Sequence, residues 1–449
     1  MLGRERGTIL RSQLTRRRRA FAAILALFVF VCLPVRPAAA QSETAPDYFV
    51  TWTDDRDGNS VNQVYMHGYR SDGSSAISER AANAVAKGQQ LGQSVAMDGK
   101  GNSVVVWMDD QDGNGSFEIL ARGFGPDGSQ RIPQFTVNTD SAGQQFLPDI
   151  AMDSDGNFAV VWMDDPTGNF KFERIMMRAF YADGSARSKS MNVSNTSEGN
   201  HLAPAVATNG CDIAIVWQDD TDDNDFYEIR ARSYSPSDCD SDDALATLVY
   251  DLHVNSESSG QQKLPDVAMD RDGNFVVVWE DDSDGNDTYQ IYARGFDRLG
   301  RERIHDWTVN SEASGQQLKP AIAMDFEGNF VVAWQDDLDG NDVYQIRARG
   351  FDAAGAERFR DFTVNTVAAG QQTEPAIAMD GDGNFIIAWQ SNADDAWEDD
   401  VDARGFYANG RQRLQSFSPN GNRSGKQVSP AVAMRSLTRL YLPTVMDAK

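Results

Sequence analysis

The amino-acid sequence predicts an all-β fold, a seven-bladed β-propeller with four-stranded blades and a ring closed by a C-terminal innermost strand. Three observations lead to this prediction: a tryptophan-centred repeat, four short apolar runs in each copy, and an incomplete copy at each end. Four-stranded units at a period of about 55 residues are typical of propeller blades, whereas helical and leucine-rich repeats are shorter or show a 3.6-residue pattern.

Seven tryptophans mark the copies, at spacings of 55, 55, 55, 62, 55 and 55 residues, so only the fourth copy is longer. We take each tryptophan as the centre of one blade. They are Trp52, Trp107, Trp162, Trp217, Trp279, Trp334 and Trp389. The repeat overrides the two or three separate domains that the chain length alone would suggest.

Each copy contains four strands, which we call A to D in chain order. In the fullest copy, Leu264–Trp279 holds strands A and B around an Asp-Gly-Asn turn, whose residues tolerate the positive φ of a tight hairpin. Strand C follows at Tyr289–Phe296 and strand D at Trp307–Asn310. The run Val276–Val278 is apolar on both faces, as expected for a strand packed between neighbouring blades.

The two ends of the repeat complement each other. The first copy starts at strand B and has no strand A, while Pro430–Met434 matches strand A but has no tryptophan after it. We therefore predict that this last strand pairs with Tyr48–Thr53 and closes the ring, which removes an open sheet edge. The predicted divisions are a signal peptide at 1–40, the propeller at 41–435 and a C-terminal tail at 436–449.

The first 40 residues have the composition of a secretory signal peptide. Arg16–Arg19 precede an apolar stretch, Ala20–Leu33, and a small-residue cleavage site follows at Ala38–Ala40. The apolar stretch is shorter than the roughly 20 residues of a membrane-spanning helix. We predict a secreted, periplasmic or cell-surface protein without a membrane span. The general secretory route and the twin-arginine route both stay open.

Removing this segment lowers the 41 Lys and Arg residues to 33 and the 67 Asp and Glu residues to 66, which gives a net charge of −33. So negative a surface excludes nucleic acid and anionic membranes as partners, and it favours cations, basic partners or simple solubility. We expect a monomer that meets an extracellular glycan or protein ligand.

The repeated phrase Pro-x-(Ile/Val)-Ala-Met-Asp-x-Asp-Gly-Asn-Phe-(Val/Ile)-(Val/Ile)-x-Trp covers residues 48–435. It resembles repeats of many large secreted bacterial proteins and, distantly, the hairpins of sialidase-type and the acidic loops of integrin-type propellers. The resemblance implies the fold and an extracellular setting. Because the Ser-x-Asp-x-Gly-x-x-Trp box and the alternating Asp-x-Asp-x-Asp-Gly order are missing, it carries over no catalytic residue.

Antiparallel strand order places the A–B and C–D turns on one face of the disc and the B–C and D–A loops on the other, which we call the acidic face. Most B–C loops read Asp-Asp-x-Asp-Gly-Asn. Oxygen ligands crowded on short loops suit calcium, although the same residues are good turn formers, so plain solvated turns are the alternative. The candidate calcium ligands are Asp55, Asp57, Asp110, Asp112, Asp282, Asp284, Asp287, Asp337, Asp339 and Asp342.

The D–A loops of the acidic face repeat Gly-Gln-Gln. We expect the glutamine amides to hold adjacent loops together, with ligand contact near the channel as the alternative for Gln262, Gln317 and Gln372. His201 replaces the second glutamine of its loop, near Glu198, and is the candidate departure from the repeat on this face. The histidines fall at unrelated repeat positions, so no catalytic residue is assigned.

An arginine recurs on strand C of six copies, and His67 stands there in the first. A position repeated around the ring is structural, and the Asp that follows each Met is its candidate partner. The arginines are Arg122, Arg178, Arg232, Arg294, Arg349 and Arg404.

Cys211 and Cys239 are the two cysteines outside the signal segment, and both occur in the lengthened fourth copy. Cys211 lies in the A–B turn and Cys239 in the C–D loop, on the same face of the same blade. Since an exported protein meets an oxidising compartment, we predict a disulfide between them.

These features favour a secreted binding or adhesion module whose acidic face holds calcium or engages a cationic or carbohydrate ligand. One alternative is a polysaccharide-active hydrolase or lyase of propeller fold, with paired carboxylates as acid and base. A structural envelope component is the other. The residues favour a binding protein over an enzyme, because carboxylates are too plentiful here for any pair to be singled out.

Overall fold

A computed structural model of the chain describes residues 45–169, 173–195, 199–235, 247–393, 399–421 and 423–435. These residues form seven four-stranded antiparallel sheets arranged in a ring, so the predicted seven-bladed β-propeller is confirmed. Within this part of the chain there is no helix of the length and hydropathy needed to cross a membrane. The predicted signal peptide, the tail and Glu198 lie outside the described residues.

Each blade consists of four strands that follow one another from the central channel outward. Blades two to seven take four consecutive strands each, from β4–β7 to β24–β27, and the first blade is built in the order β28-β1-β2-β3. The strands are β1 Tyr48–Asp54, β2 Gln63–Tyr69, β3 Ser75–Ala81, β4 Gln90–Met97, β5 Ser103–Asp109, β6 Glu118–Phe124, β7 Gln130–Thr136, β8 Gln144–Met152, β9 Phe158–Asp165, β10 Arg174–Phe180, β11 Met191–Asn192, β12 Asn200–Thr208, β13 Ile213–Asp220, β14 Glu228–Ser235, β15 Thr247–His253, β16 Gln261–Met269, β17 Phe275–Asp282, β18 Gln290–Phe296, β19 Glu302–Thr308, β20 Gln316–Met324, β21 Phe330–Asp337, β22 Gln345–Phe351, β23 Glu357–Thr363, β24 Gln372–Met379, β25 Phe385–Ser391, β26 Asp400–Phe406, β27 Gln412–Phe417 and β28 Gln427–Met434.

The strand-B runs are buried on both faces because each face packs against a different neighbouring blade. Val277 belongs to an apolar cluster shared with blade four, whereas Val276 and Val278 belong to one shared with blade six. The strand-B tryptophans are fully buried in all seven blades. Burying a valine side chain stabilises a fold by roughly 1.5–3 kcal/mol, so these interfaces hold the ring together.

Ring closure by the last strand is confirmed. β28 pairs antiparallel with β1, with Tyr48 opposite Met434 and Val50 opposite Val432. Met434 and Val432 pack in the apolar cluster shared with blade seven, while Ala433 packs in the one shared with blade two. The C-terminal strand therefore supplies the first blade with its innermost layer and with contacts to both neighbours.

The strand-C arginines do not pair with the Asp after each Met, so that expectation is wrong. Arg294 lies opposite Val277, on the side of its sheet that packs against blade four, and its Nη1 donates a hydrogen bond of 2.7 Å to the carbonyl oxygen of Val254 there. Asp270, the residue after Met, instead accepts hydrogen bonds from the backbone amides of Asp272 and Asn274 and closes the A–B turn. The arginines thus join neighbouring blades.

The predicted disulfide is only half within the described residues. Cys211 lies in the A–B turn of the fourth blade, and Cys239 lies outside the described residues. Ser235, the last residue of β14 before the C–D loop, donates a hydrogen bond to the Asp212 carboxylate, beside Cys211. The C–D loop thus leaves the sheet close to the cysteine it is expected to reach, and the disulfide itself stays a prediction.

Deleting Gln427–Lys449 should lower the melting temperature sharply, because it exposes the edge of β1 and the apolar surface that Val432, Ala433 and Met434 cover, worth about 5 kcal/mol. Differential scanning calorimetry measures the shift. Deletion of residues 436–449 alone is the matched control, since β28 is then intact. An equal melting temperature for the longer deletion and the full chain would contradict the closing role of β28.

Non-reducing peptide mapping should recover the Cys211 and Cys239 peptides as one linked species. Closing a loop of about 28 residues stabilises by roughly 3 kcal/mol in the chain-entropy model, so the reduced protein should melt at a lower temperature. The Cys211→Ser and Cys239→Ser variants should each melt like the reduced protein. Recovery of both cysteines as free thiols would refute the disulfide.

Candidate functional site

The innermost strands of the seven blades enclose a central channel of about 570 Å³. Near the acidic face each of these strands carries a bulge, seen as a register shift against strand B between Leu318 and Ala321 in blade six. One residue of each bulge lines the channel with a left-handed φ of 46–59°, and we call it the bulge residue. The bulge residues are Gly92, Leu147, Ala203, Leu264, Lys319, Glu374 and Ser429.

A left-handed φ is costly for residues other than glycine, so the surrounding structure must hold it in place. For the bulge residues of blades one, three, five, six and seven, the residue after the strand-B tryptophan of the preceding blade does this. The backbone amide of Lys319 donates to Glu280 Oε1 at 2.7 Å, and that of Glu374 donates to Gln335 Oε1 at 3.2 Å. These hydrogen bonds therefore join neighbouring blades at the mouth of the channel.

The bulge residues give the mouth of the channel two different sides. In blades two to five they are small or apolar, and the Leu147 side chain is 48% exposed. In blades six and seven they are Lys319 and Glu374, which form an ion pair. Lys263, which precedes the bulge residue Leu264, lies with its Nζ 5.7 Å from the centre of the Tyr289 ring. The mouth thus joins an apolar wall to a charged wall.

Glu280 lies beneath the charged wall and is almost fully buried. Burial raises the pKa of its carboxyl group to about 7, although the Lys319 amide and the charges of Lys319 and Lys263 act in the opposite direction. Gln218 and Gln335 occupy the equivalent positions in blades four and six. The carboxyl group of Glu280 therefore departs from the repeat, and it lies next to the exposed Lys319–Glu374 ion pair.

Deeper in the channel, two aspartates tie adjacent blades to each other. Asp149 accepts hydrogen bonds from Ser94 Oγ at 2.8 Å and from the Val206 amide at 2.9 Å. Asp266 accepts one of 2.9 Å from the Ile322 amide of the next blade. Burial, together with the charge of Asp149, raises the pKa of Asp266 to about 7, and burial also raises the pKa of Asp149.

Sequence reasoning missed these two aspartates, although the repeat contains a signal for them. They occupy the variable position of Pro-x-(Ile/Val)-Ala-Met-Asp, where the other copies have alanine or serine. Comparing that single position across the copies would have singled them out. The seven residues are Ser94, Asp149, Ala205, Asp266, Ala321, Ala376 and Ala431.

The predicted calcium ligands come together within each B–C loop and are engaged there in local hydrogen bonds. Asp282 accepts from the backbone amides of Asn286 at 2.9 Å and Asp287 at 3.3 Å, while Asp284 accepts from the Asn286 side chain at 2.8 Å. The same pattern repeats at the other candidates: Asp55, Asp57, Asp110, Asp112, Asp337 and Asp339.

Asp287 and Asp342 enter the loops mainly through their backbone, with a φ of 61° each, and their carbonyl oxygens accept hydrogen bonds from Gln316 and Gln371. Among the described residues, no group of three or more His, Cys, Asp or Glu side chains has an arrangement that could hold a metal ion. Calcium binding at these loops stays a prediction.

The glutamine pairs join loops, as expected. Gln316 links the B–C loop of blade five to blade six, because its Oε1 accepts from the Tyr289 amide at 3.0 Å. The second glutamine of each pair is fully buried: Gln317 Oε1 accepts from Asn310 Nδ2 at 2.9 Å, and Gln262 and Gln372 are buried at the same position. A direct ligand contact by these three stays a prediction.

His201 takes the place of the buried glutamine in blade four and is 1% exposed. Its Nδ1 lies 2.6 Å from Asp219 Oδ1, and the same carboxylate accepts hydrogen bonds from Trp217 Nε1 and Thr221 Oγ1. Burial alone would raise the pKa of Asp219, but these partners lower it to about 2. His201, the predicted departure from the repeat, is therefore a partner of a buried, ionised aspartate.

No family model matches the sequence, and no curated protein matches it. Several solved structures of propeller fold are similar to this chain. The periplasmic gluconolactonase of Pseudomonas aeruginosa is 15% identical over 86% of this chain and 99% of its own, with a TM-score of 0.49. An α-L-arabinanase of Penicillium chrysogenum is 12% identical over 67% of this chain and 88% of its own, with a TM-score of 0.46. A protein of unknown function from Dyadobacter fermentans is 13% identical over 70% of this chain and 93% of its own, with a TM-score of 0.44. Similarity at this level assigns neither a ligand nor an activity.

Replacing Asp266 with alanine, the residue of blades six and seven, should flatten the dependence of stability on pH. A buried carboxyl group with a pKa raised from 3.8 to about 7 stabilises the folded state fully below pH 4, and this contribution, on the order of 4 kcal/mol, is lost as the pH rises to 7. Urea unfolding at pH 5, 6, 7 and 8 gives the slope. Asp266→Asn should flatten it equally, and an unchanged slope in both variants would contradict the assignment.

Proposed function

We propose that this chain is an exported glycan-binding module and that its binding site is the mouth of the central channel on the acidic face. The single observation that carries the proposal is the asymmetry of the bulge residues. Seven equivalent positions surround the mouth, and they divide into an apolar side and a side with the Lys319–Glu374 ion pair. A purely structural ring has no need of such a division, whereas a ligand site must break the repeat.

The two sides match the two surfaces of a sugar. The C–H face of a pyranose packs on apolar or aromatic groups, which Leu147 and Leu264 offer, and its hydroxyl groups need hydrogen-bonding partners, which Lys319 and Glu374 offer. Ligand sites are typically concave, largely apolar and equipped with a few polar groups, and the channel volume lies within their usual range of about 300–1,000 Å³.

The acidic loops extend the same face outward from the mouth. Calcium bound there would offset the repulsion among the carboxylates and could also contact sugar hydroxyl groups, which is why we keep the calcium proposal for this face. The strongly negative charge of the chain makes a cationic glycan a better ligand than an anionic one.

The hydrolase alternative has one specific observation in its favour. A general acid must hold a proton near neutral pH, and the raised pKa of Glu280 supports that role. Glu280 accepts a hydrogen bond from the backbone of Lys319, and Lys319 pairs with Glu374, so two carboxyl groups lie on the same side of the mouth, as glycoside hydrolysis requires. Turnover of a bound glycan that is lost in Glu280→Gln would favour this alternative over binding alone.

A glycan array, run with calcium and with a chelator and followed by calorimetry on the best ligand, should show binding that falls at least tenfold in the Lys319→Leu/Glu374→Leu variant. Leucine is the bulge residue of blades three and five, so the fold should tolerate it. The expected loss corresponds to about 1.4 kcal/mol or more. Reaction products of each bound glycan are analysed in parallel.

The matched control is Lys100→Leu/Asp155→Leu, which removes an exposed ion pair on A–B turns of the opposite face. This variant should bind as the unmodified protein does. Equal affinity of the channel variant and the control would contradict the proposed site, and a response to the chelator alone would assign binding to the acidic loops.

A further inference from the structure

A second pocket lies on the acidic face of the fourth blade, apart from the channel. Its volume is about 320 Å³, and its lining includes Trp217, Asp219, the strand-C residues Arg230 and Arg232, and Phe226. Blade seven has a comparable pocket of about 240 Å³. The space therefore comes with the propeller fold, and what distinguishes blade four is the set of side chains that line it.

The carboxylate of Asp219 is the first distinguishing feature. In blade seven Ser391 stands at the equivalent position, and Trp389 Nε1 donates to Gln372 instead. In blade four, Trp217 and His201 both bond to Asp219 Oδ1, while Thr221 bonds to Oδ2. A carboxylate oxygen accepts two hydrogen bonds, so Oδ2 keeps room for one more donor.

The pKa of Asp219 is shifted in the opposite direction from that of three of its counterparts. Burial raises the pKa of Asp109 and of Asp281, and it raises that of Asp336 to about 6, whereas the partners of Asp219 lower its pKa to about 2. Blade four also differs in having His201, which contacts Asp219, at the position of the buried second glutamine. The pocket in blade four thus holds a carboxylate that is ionised at any physiological pH.

The two arginines of the pocket share one carboxylate. Asp251 binds Arg230 Nη2 at 2.8 Å through Oδ1 and Arg232 Nη2 at 2.7 Å through Oδ2. Asp219, Asp222 and Glu228 also line the pocket, so four carboxylates stand against two guanidinium groups. Two imidazoles accompany them, since His201 pairs with Asp219 and His253 pairs with Glu228. The carboxylates of the pocket thus outnumber its guanidinium groups, which favours a cationic ligand.

The rim of the pocket offers a ring for stacking. Phe226 is 51% exposed and stands where blades five and six have Thr288 and Val343. Thr221, Asn224 and Ser258 add hydroxyl and amide groups to the same lining. An aromatic ring beside polar groups suits the face and hydroxyl groups of a pyranose, and it also attracts a positive charge.

We propose that the blade-four pocket binds an amino sugar, with the ammonium group directed to Asp219 and the sugar ring against Phe226. The pocket accommodates one sugar ring, and its position in another blade makes it independent of the channel mouth.

Isothermal titration of the full chain at pH 7 with D-glucosamine, N-acetyl-D-glucosamine, D-glucose and Nα-acetyl-lysine amide tests this proposal. Glucosamine should bind at least tenfold more tightly than the other three, because only it combines the ammonium group with the pyranose ring. Equal binding of glucose or N-acetylglucosamine would overturn the role of Asp219, and tighter binding of the lysine amide would overturn the choice of a sugar.

Phe226→Thr should weaken glucosamine binding at least fivefold without a change in melting temperature, since threonine stands at this position in blade five. Val343→Thr in blade six is the matched control and should bind normally. Asp219→Ser, which reproduces blade seven, should abolish binding. The Lys319→Leu/Glu374→Leu variant should bind glucosamine as the unmodified protein does, so loss in that variant would place the sugar in the channel and overturn the second site. Absence of glucosamine binding overturns it too, and leaves the glycan test of the channel unaffected.

Discussion

The structure depends on one constraint: each blade is a sheet with two apolar faces, and both must be covered by other blades. Val277 needs blade four and Val276 needs blade six, so a blade packed against only one neighbour would still leave one apolar face exposed to water. Only a closed ring satisfies all seven blades at once, and β28 makes the closure possible. The polar links, such as Arg294 to the carbonyl oxygen of Val254, lie along interfaces that apolar burial has already brought together.

The features that repeat could be predicted from the sequence because each occurs in several copies at one spacing. The buried tryptophans, the hairpin turns and the pairing of β28 with β1 are of this kind. The partner of Arg294 was predicted wrongly, since the repeat gives the spacing of residues along the chain and does not tell which side of a sheet meets which blade. Register decides that, and it placed Arg294 beside Val277.

The features that do not repeat were harder to find. Asp149 and Asp266 differ from alanine at one position of a repeated phrase, and no periodic pattern points to a single substitution. His201 was noticed because it replaces a glutamine in an otherwise regular pair. Phe226 and Arg230 were not, because their repeat positions vary from copy to copy, so that no pattern in the sequence marks these two residues. In a symmetric fold, function is therefore best sought by comparing equivalent positions.

The acidic composition has two separate origins. Many loop carboxylates accept hydrogen bonds from their own turns, as Asp282 does from the Asn286 amide, and so serve the local backbone. Others are buried in places where burial raises their pKa, as at Asp266 and Glu280. The first group explains why the acidic motif recurs, whereas Asp266 and Glu280 are departures from the repeat at or beside the channel.

The pairing of β1 with β28 also bears on how the chain assembles. Thr51 and Ala431 are 380 residues apart, and bringing such distant segments together costs about 3 kcal/mol more chain entropy than closing a ten-residue hairpin. The other blades fold from neighbouring strands, so this contact is the slow one. Nothing in it requires both strands to come from the same molecule. At high concentration, the open rings of two molecules can therefore exchange their last strands, which makes dilution the condition that favours a single closed ring during refolding.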